Sequence, residues 1–388
     1  MKSGEFFRQA RRNGLWSGAE AIHRSALTKA RRKIGWQVFR DILNRAVLLA
    51  YELWPKESRF LWHGMSVFAI DGSKYTLPAS QEIRNEFDPK SGLQNPGKGH
   101  FPMCLVSTAY DVFRRLPIVR TVVPVDSSER EEAKELLPFI PARSVLLFDR
   151  GYPSFELITY LLEQFDGFFI FRCQAQSTFS AVQTFLKSRK SEATLWITPS
   201  SNYLSKIPPA HRKGVKPIKL RVVRLTSPDG SVSVLLTNLH DRKRFARDEI
   251  ITLYFRRWEV ESYYRDEKVF LELDRFHSKT CNGVRQELFA AMIMSVISRT
   301  LMQLSTQTFL DNSRELQFKN TIMTLASEAA VLAPEDPEKA VKIFDEILED
   351  ISRVIYYRPK KPRAPQTRVT KRKRNKWTIA KTKKVTNA

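Results

Sequence analysis

Apolar residues recur every three or four positions early in the chain, a spacing typical of amphipathic helices. Between Trp36 and Leu53 the apolar positions are Val38, Phe39, Ile42, Leu43, Ala46 and Leu49. We therefore predict a helical region over residues 1–62. Short helices with a basic face suit a domain that reads DNA ends, but the same pattern is typical of a helical cap packed on a larger domain. The pattern leaves both interpretations open.

The period of the pattern changes at Ser66, where short apolar runs rich in β-branched residues begin. These runs predict strands over residues 66–70, 102–111, 116–125, 144–148 and 167–172. Helical spacing lies between the later runs, over 127–137 and 154–164. The resulting order, β-β-β-α-β-α-β, predicts an α/β fold in which a mixed sheet carries helices on its faces.

Residues 173–245 interrupt this order and are predicted to be a β-rich insertion. Within it, residues 219–225 and 231–238 are predicted to pair as a hairpin, because turn-forming residues lie between them. Trp196 is interpreted as a core residue of the insertion. The alternative is an exposed indole that stacks on an unpaired base.

A stretch without Gly or Pro, residues 254–268, is predicted to form one continuous helix. Spacing by three or four places polar groups on one face of it: Tyr254, Arg257, Glu261, Arg265 and Lys268. Other positions are predicted to point toward a core: Trp258, Val260 and Tyr263. A solvated stripe of ion pairs would account for such a face as well as a functional site does.

The charge of the chain is strongly positive, with a formal net charge of +24 and a pI of about 10.0. A charge of this size indicates a polyanionic partner, most simply nucleic acid. Residues 358–388 carry 13 Lys and Arg and no acid, which leaves 24 − 13 = +11 for the first 357 residues. The body of the protein is therefore basic in its own right. The segment after Tyr357 is predicted to be disordered and to add affinity for phosphates.

Cysteine usage and hydropathy indicate an intracellular protein. The three cysteines are far apart in the sequence, which argues against a disulfide framework and a structural zinc site. The N-terminus has no apolar signal core, and the longest apolar run, residues 288–297, is too short to span a bilayer. We expect a cytoplasmic location and no membrane partner.

Three carboxylates stand out as candidate catalytic groups. Asp71 and Asp149 each follow a predicted strand, and Glu261 lies on the later helix. If the two strands are neighbours and the helix packs across their ends, the three side chains converge on one site. Hard oxygen donors suit Mg²⁺ or Mn²⁺, and a pair of such ions can drive an in-line phosphoryl transfer. Each aspartate on its own could equally end its strand in a turn.

The motifs around these residues resemble the DDE transposases of bacterial insertion sequences, and in particular the insertion-sequence-four family. The quoted stretches are Ile70-Asp71-Gly72-Ser73 and Leu147-Phe148-Asp149-Arg150-Gly151-Tyr152. The signature of that family is Tyr, two residues, Arg, three residues, Glu, six residues, Lys. Tyr254, Arg257, Glu261 and Lys268 meet every interval. The family also has counterparts of Thr237-Asn238-Leu239 and Glu129. The resemblance as a whole covers roughly residues 66–300.

The resemblance implies both a fold and a chemistry. The fold is an RNase H-like sheet with a β-strand insertion before the helix that bears the glutamate. The N-terminal and C-terminal helical regions that flank this core are predicted from their apolar spacing, independently of the resemblance. Asp71, Asp149 and Glu261 form the metal triad for two Mg²⁺ ions, with Mn²⁺ as a substitute. Tyr254, Arg257 and Lys268 contact DNA. Members cut double-stranded DNA at the ends of their element, transfer the strand into a target, and act as homodimers bridging both ends.

On this basis the chain is predicted to be an active transposase of the bacterial nucleoid. The alternatives are a metal-dependent nuclease of the same fold without strand transfer and a non-catalytic DNA-binding derivative. The predicted regions are the N-terminal helices (1–62), the first part of the catalytic core (63–172), the insertion (173–245), the glutamate-bearing helix (246–283), the C-terminal helices (284–356) and the basic tail (357–388).

Overall fold

An eight-stranded mixed sheet is the central element of the fold. The computed structural model describes residues 24–88, 101–174, 179–226, 230–273, 275–310, 315–328 and 337–356. Across the sheet the strand order is β3-β2-β1-β4-β5-β8-β7-β6. The strands are β1 (Val67–Thr76), β2 (Met103–Asp111), β3 (Leu116–Pro124), β4 (Val145–Phe148), β5 (Phe168–Cys173), β6 (Glu192–Ile197), β7 (Ile218–Thr226) and β8 (Val232–Thr237).

The centre of the sheet is parallel and buried. β1 pairs with β4, and β4 with β5, in parallel. Uninterrupted apolar runs supply these strands, as expected where helices cover both faces of a sheet. β2 and β3 are neighbours joined by only four residues, a connection that only antiparallel strands allow. This strand order confirms the predicted RNase H-like mixed sheet.

The strands of the insertion extend this same sheet. β8 pairs antiparallel with β5, β7 with β8, and β6 with β7. The pairing of β7 with β8 confirms the predicted hairpin, although residues 227–229 of its turn lie outside the described residues. Trp196 lies on the edge strand β6 and is 60% exposed, so its interpretation as a core residue is wrong. An edge strand is covered by a neighbouring strand on one side only, which leaves more of its side chains in solvent.

Thirteen helices accompany the strands in the described residues, as expected for a fold in which helices pack on a sheet. They are α1 (Arg24–Lys33), α2 (Trp36–Leu53), α3 (Gln81–Phe87), α4 (Glu129–Leu136), α5 (Phe155–Gln164), α6 (Ser180–Lys187), α7 (Ser201–Ser205), α8 (Pro209–Arg212), α9 (Arg247–Phe255), α10 (Trp258–Phe270), α11 (Cys281–Phe309), α12 (Phe318–Glu328) and α13 (Pro337–Ser352). Short 3₁₀ turns occur at Ser58–Phe60 and Leu137–Phe139.

The chain divides into two compact units. One comprises residues 1–55, 75–104 and 267–388, and the other comprises residues 56–74 and 105–266. All candidate site residues except Lys268 belong to the second unit. The division into functional regions predicted from the sequence remains a prediction. The basic tail, from residue 357 on, and residues 1–23 lie outside the described residues.

The long helix α11 organises the first unit. α2 lies along it, and the Trp36 ring stacks on Phe289 at 5.4 Å. Arg31 donates to Gln286 at 2.8 Å and pairs with Glu287 at 3.0 Å. By length and composition α11 could cross a membrane, but 56% of its most apolar window is buried within the chain. Its apolar residues are therefore explained largely by packing against other helices, while the absence of a membrane partner stays a prediction.

Candidate active site

The register of two parallel strands places Asp71 beside Asp149. The last paired positions of β1 and β4 are Ile70 and Phe148, and one aspartate follows each of them directly. Adjacent strands lie about 4.8 Å apart, so the two aspartates are neighbours across the sheet. The expectation that their strands adjoin is therefore confirmed. Asp71 does not end its strand, however, because β1 continues to Thr76.

A tight loop holds Asp149 after β4 ends. The Gly151 N–H donates to Asp149 Oδ1 at 2.7 Å. A Cβ at position 151 would lie 3.1 Å from that oxygen, which favours glycine for this close approach. Arg130, on α4, donates twice to the Gly151 carbonyl, at 2.9 and 3.1 Å. The loop is therefore tied to a helix from outside the sheet.

The stretch that carries Glu261 is two helices, so the prediction of one continuous helix is wrong. α9 ends at Phe255 and α10 begins at Trp258, with a turn at Arg256 and Arg257 between them. In this turn the Arg257 N–H donates to the Tyr254 carbonyl at 3.0 Å, a tighter pattern than the α-helical one. The break places Tyr254 and Glu261 on different helices.

The turn also changes which side chains are buried. Trp258 is 48% exposed, so its predicted place in a core is wrong, whereas Val260 and Tyr263 are buried as predicted. The indole of Trp258 lies beside the Arg257 guanidinium, 5.0 Å from ring centroid to Cζ. Tyr254 is buried, and burial raises the pKa of its hydroxyl to about 12. A role for this hydroxyl in phosphate binding stays a prediction.

Arg257 connects Glu261 to Asp71. One guanidinium nitrogen donates to Glu261 Oε1 at 2.6 Å, and another lies 3.9 Å from Asp71 Oδ2. The side chain of Arg257 is only 5% exposed, whereas that of Glu261 is 42% exposed. The structure therefore brings the three predicted carboxylates to one region, with a buried cation between two of them.

Two tyrosines hold α10 on the sheet. The Tyr264 hydroxyl donates to the carbonyl of Asp71 at 2.8 Å and to that of Val106 at 3.1 Å. The Tyr263 ring stacks on Tyr110 at 5.2 Å, and its hydroxyl accepts a hydrogen bond from Arg120. Sequence reasoning assigned Tyr263 to a core but missed these contacts. The available signal was the Tyr263-Tyr264 pair, which follows Glu261 after one serine.

The electrostatics of the site reflect an excess of negative charge. The pKa of Asp71 is raised to about 7, first by burial and then by Asp149 and Glu261. Arg257 and the Gly72 N–H act in the opposite direction. Burial and the Asp149 charge also raise the pKa of Glu129, which lies at the start of α4. One buried arginine does not neutralise this group, so the site favours an added cation.

The residues fit a divalent cation by their donor chemistry. Asp71, Asp149 and Glu261 offer carboxylate oxygens, the ligands that Mg²⁺ and Mn²⁺ prefer. Within the described residues, no three His, Cys, Asp or Glu side chains are drawn together closely enough to hold an ion. The Arg257 guanidinium lies between Asp71 and Glu261 instead.

Lys268 follows Glu261 by two turns of α10. Its ammonium group lies 4.5 Å from the centroid of the Tyr75 ring. Arg265, between them on the same helix, is exposed. Contact of Lys268 with DNA stays a prediction.

We expect Tyr264→Phe to lower the free energy of unfolding by about 1–3 kcal/mol, because two carbonyls lose their shared donor in a buried setting. Urea denaturation measures this. Tyr160→Phe on α5 is the control and should leave stability within about 0.5 kcal/mol of the wild type. Equal stability of both variants would contradict the anchoring role of Tyr264.

Three bacterial transposases are similar in sequence to parts of this chain. The chain is 24% identical over 272 residues to Transposase InsG for insertion sequence element IS4 of Escherichia coli (strain K12), covering 69% of this chain and 59% of InsG. It is 26% identical over 150 residues to Putative transposase InsZ of the same strain, covering 37% and 48%. It is 31% identical over 167 residues to Putative transposase y4zB of Sinorhizobium fredii (strain NBRC 101917 / NGR234), covering 43% and 45%.

The matched region is less than two thirds of the length of each of these relatives. Among solved structures, a piggyBac transposase synaptic complex with hairpin DNA is similar at a TM-score of 0.41 and 10% identity. The similarity covers 73% of this chain and 57% of that one, and it is too slight to assign a function.

A family match spans the sheet and the candidate site together. Residues 62–297, more than half of the 388-residue chain, match the family described as Transposase DDE domain. The matched range contains Asp71, Asp149, the insertion and Glu261. The resemblance to insertion-sequence-four transposases stated from the motifs is confirmed, and the chain belongs to the transposase DDE domain family.

Proposed function

We propose that the protein is a DNA transposase that cleaves the ends of an insertion sequence and joins them to target DNA. The observation that carries the proposal is the register of β1 and β4, which sets Asp71 beside Asp149, together with the Arg257 contacts that connect Asp71 to Glu261. Membership of the family and the basic charge of the chain support DNA as the substrate.

In the proposed mechanism Asp71, Asp149 and Glu261 hold divalent cations, with two Mg²⁺ ions expected. Cations bound there would supply the charge that activates an attacking oxygen and stabilises the leaving oxygen of a phosphodiester. Burial of Asp71 and Arg257 lowers the local dielectric and so strengthens their interactions with charged groups. Asp71 serves as a ligand while it is ionised, and the positive charge of Arg257 favours this form by lowering the pKa of Asp71.

Arg257 has a second proposed part in the reaction. Its guanidinium is planar and offers paired donors that match phosphate oxygens. Arg257 contacts two carboxylates, and Glu261 is the more exposed of them. The side chain of Glu261 is 42% exposed, against 15% for that of Asp71. An arriving phosphodiester would therefore meet Arg257 from the Glu261 side. There the guanidinium would orient the phosphate and partly neutralise its charge.

The assembly is proposed to be a homodimer that bridges two element ends. The proposed location is the bacterial cytoplasm, in association with the nucleoid. Mass photometry of the protein with end DNA should show two chains per pair of ends. A complex with one chain would contradict this arrangement.

Strand transfer separates a transposase from a nuclease of the same fold. Inverted repeats in the DNA that flanks the gene define the end sequence. Precleaved ends with a 3′-hydroxyl, incubated with the protein, plasmid and Mg²⁺, should yield joined product on a gel. Ends terminated with a dideoxynucleotide are the matched control and should not join. Cleavage of uncut ends without any joining would instead support the nuclease.

A further inference from the structure

Glu129 lies directly against the strand that carries Asp71. A Cβ added at Gly72, the next residue of β1, would be only 3.1 Å from Glu129 Cδ and 3.2 Å from its Cγ. The glutamate side chain therefore packs on the β1 backbone, in space that any larger residue at position 72 would take. Glu129 is half-buried, which raises the pKa of its carboxyl group, and the negative charge of Asp149 raises this pKa further.

Tyr152 brings a second, independent observation to the same place. Its side chain is fully buried, and its hydroxyl has no hydrogen-bond partner among the described residues. Its ring lies 5.2 Å from that of Phe148, the residue before Asp149. Burial raises the pKa of this hydroxyl, and Asp71, Glu129 and Asp149 raise it further. The hydroxyl therefore lies within the field of three carboxylates without bonding to any of them.

Resting on the proposed function, we propose that Glu129 and Tyr152 are positioning residues on the Asp149 side of the divalent-cation site. Glu129 supplies a fourth negative charge that draws the cation and its water shell toward Asp149. The Tyr152 hydroxyl accepts a hydrogen bond from this water shell and can donate one to a carboxylate that turns toward the cation. Neither residue belongs to the Asp-Asp-Glu triad.

The state of both groups in the metal-free protein supports this arrangement. A buried hydroxyl without a partner is unfavourable, and a bound water or ion is one of the groups that can satisfy it. A half-buried glutamate packed against β1 at Gly72, the residue next to Asp71 in the chain, is unfavourable as well, because like charges repel at short range. A bound cation with its waters would relieve both, since the cation attracts the carboxylates and one of its waters donates a hydrogen bond to the hydroxyl oxygen.

Mn²⁺ binding to the full-length protein tests the proposal without reference to activity. Free Mn²⁺ is titrated by electron paramagnetic resonance against the wild type, Glu129→Gln and Tyr152→Phe. Supporting groups around a metal typically change its affinity about 10- to 100-fold. We expect Glu129→Gln to weaken Mn²⁺ binding about 10-fold and Tyr152→Phe to weaken it about threefold or more. Glu135→Gln, exposed on the same helix α4, and Tyr160→Phe on α5 are matched controls that should bind as the wild type does.

Thermal unfolding in EDTA separates positioning from a merely structural role. Both variants should melt at or slightly above the wild-type temperature, because each removes an unfavourable buried group. Glu129→Asp should recover part of the lost Mn²⁺ affinity. Wild-type affinity in both variants would overturn the proposal, and so would weaker binding that merely follows a lowered melting temperature. Failure of the wild type itself to bind Mn²⁺ would count against the proposed function instead.

Discussion

Asp71→Asn is expected to abolish DNA cleavage and at the same time to stabilise the metal-free protein. Asparagine keeps the shape of the side chain and can still accept the Gly72 N–H bond, but it carries no charge for a cation. Loss of a metal ligand removes several kcal/mol of transition-state stabilisation, so cleavage of end DNA should fall about 1,000-fold or more. DNA retention should remain close to that of the wild type, because phosphates are bound by basic groups.

The gain in stability follows from the raised pKa of Asp71. Its pKa is about 7 in the folded protein against 3.8 for the ordinary side chain, so the folded state binds this proton more tightly than the unfolded state does. The associated stabilisation is complete below about pH 4 and is lost as the pH rises through 7. Asp71→Asn does not undergo this loss. Above pH 7 the variant should therefore be more stable by about 2–4 kcal/mol.

Urea denaturation in EDTA at several pH values measures the difference in stability. The gap between Asp71→Asn and the wild type should widen between pH 4 and 7 and then level off. Mg²⁺ should narrow the gap by stabilising the wild type alone. Asp126→Asn, at an exposed site in the same unit, is the control and should change neither cleavage nor stability. Undiminished cleavage by Asp71→Asn would refute the triad.

Arg257→Gln is expected to have the second largest effect on DNA cleavage. Its effect on stability is opposite to that of Asp71→Asn, because Arg257→Gln destabilises the protein. It leaves the buried Asp71 without its positive partner and breaks the 2.6 Å bond to Glu261. Breaking a buried ion pair by removing one partner costs about 3–5 kcal/mol. Because Glu261 is partly exposed, we expect a loss of about 3 kcal/mol in the free energy of unfolding. Cleavage should fall about 100-fold as phosphate orientation is lost.

The neighbouring arginine offers a close control. Arg256 is half-exposed, and its contact with Glu259 is a weak 4.0 Å ion pair, so Arg256→Gln should change stability by less than about 1 kcal/mol. The double variant Asp71→Asn/Arg257→Gln should be more stable than the sum of the single effects implies, because the asparagine no longer needs a cation. Strict additivity would show that Arg257 does not act through Asp71.

Several features of the fold follow from local sequence patterns. Strand runs such as Val145–Phe148 are recognisable because apolar, β-branched composition is a local property. The spacing of Tyr254, Arg257, Glu261 and Lys268 is likewise written in the chain and identifies the family. The break between α9 and α10 was not predictable in this way, since no Gly or Pro marks it.

Burial was the least predictable property of the site. Trp196 and Trp258 are large and apolar, yet both are substantially exposed. Tyr152 and Arg257 carry polar groups, yet both are buried. Exposure depends on which distant segments cover a residue, and residue type gives only its average tendency.

The sequence by itself determined the order of the five core strands with α4 and α5, the carboxylates Asp71, Asp149 and Glu261, and the family signature that ends with Lys268. The tertiary structure decided that Ile70 pairs with Phe148, that Arg257 lies between Asp71 and Glu261, and that the insertion strands extend the central sheet. The physical reason is the distance along the chain over which the residues interact. Local spacing follows from backbone geometry within one helix or strand, whereas register, burial and charge pairing depend on residues far apart in the chain.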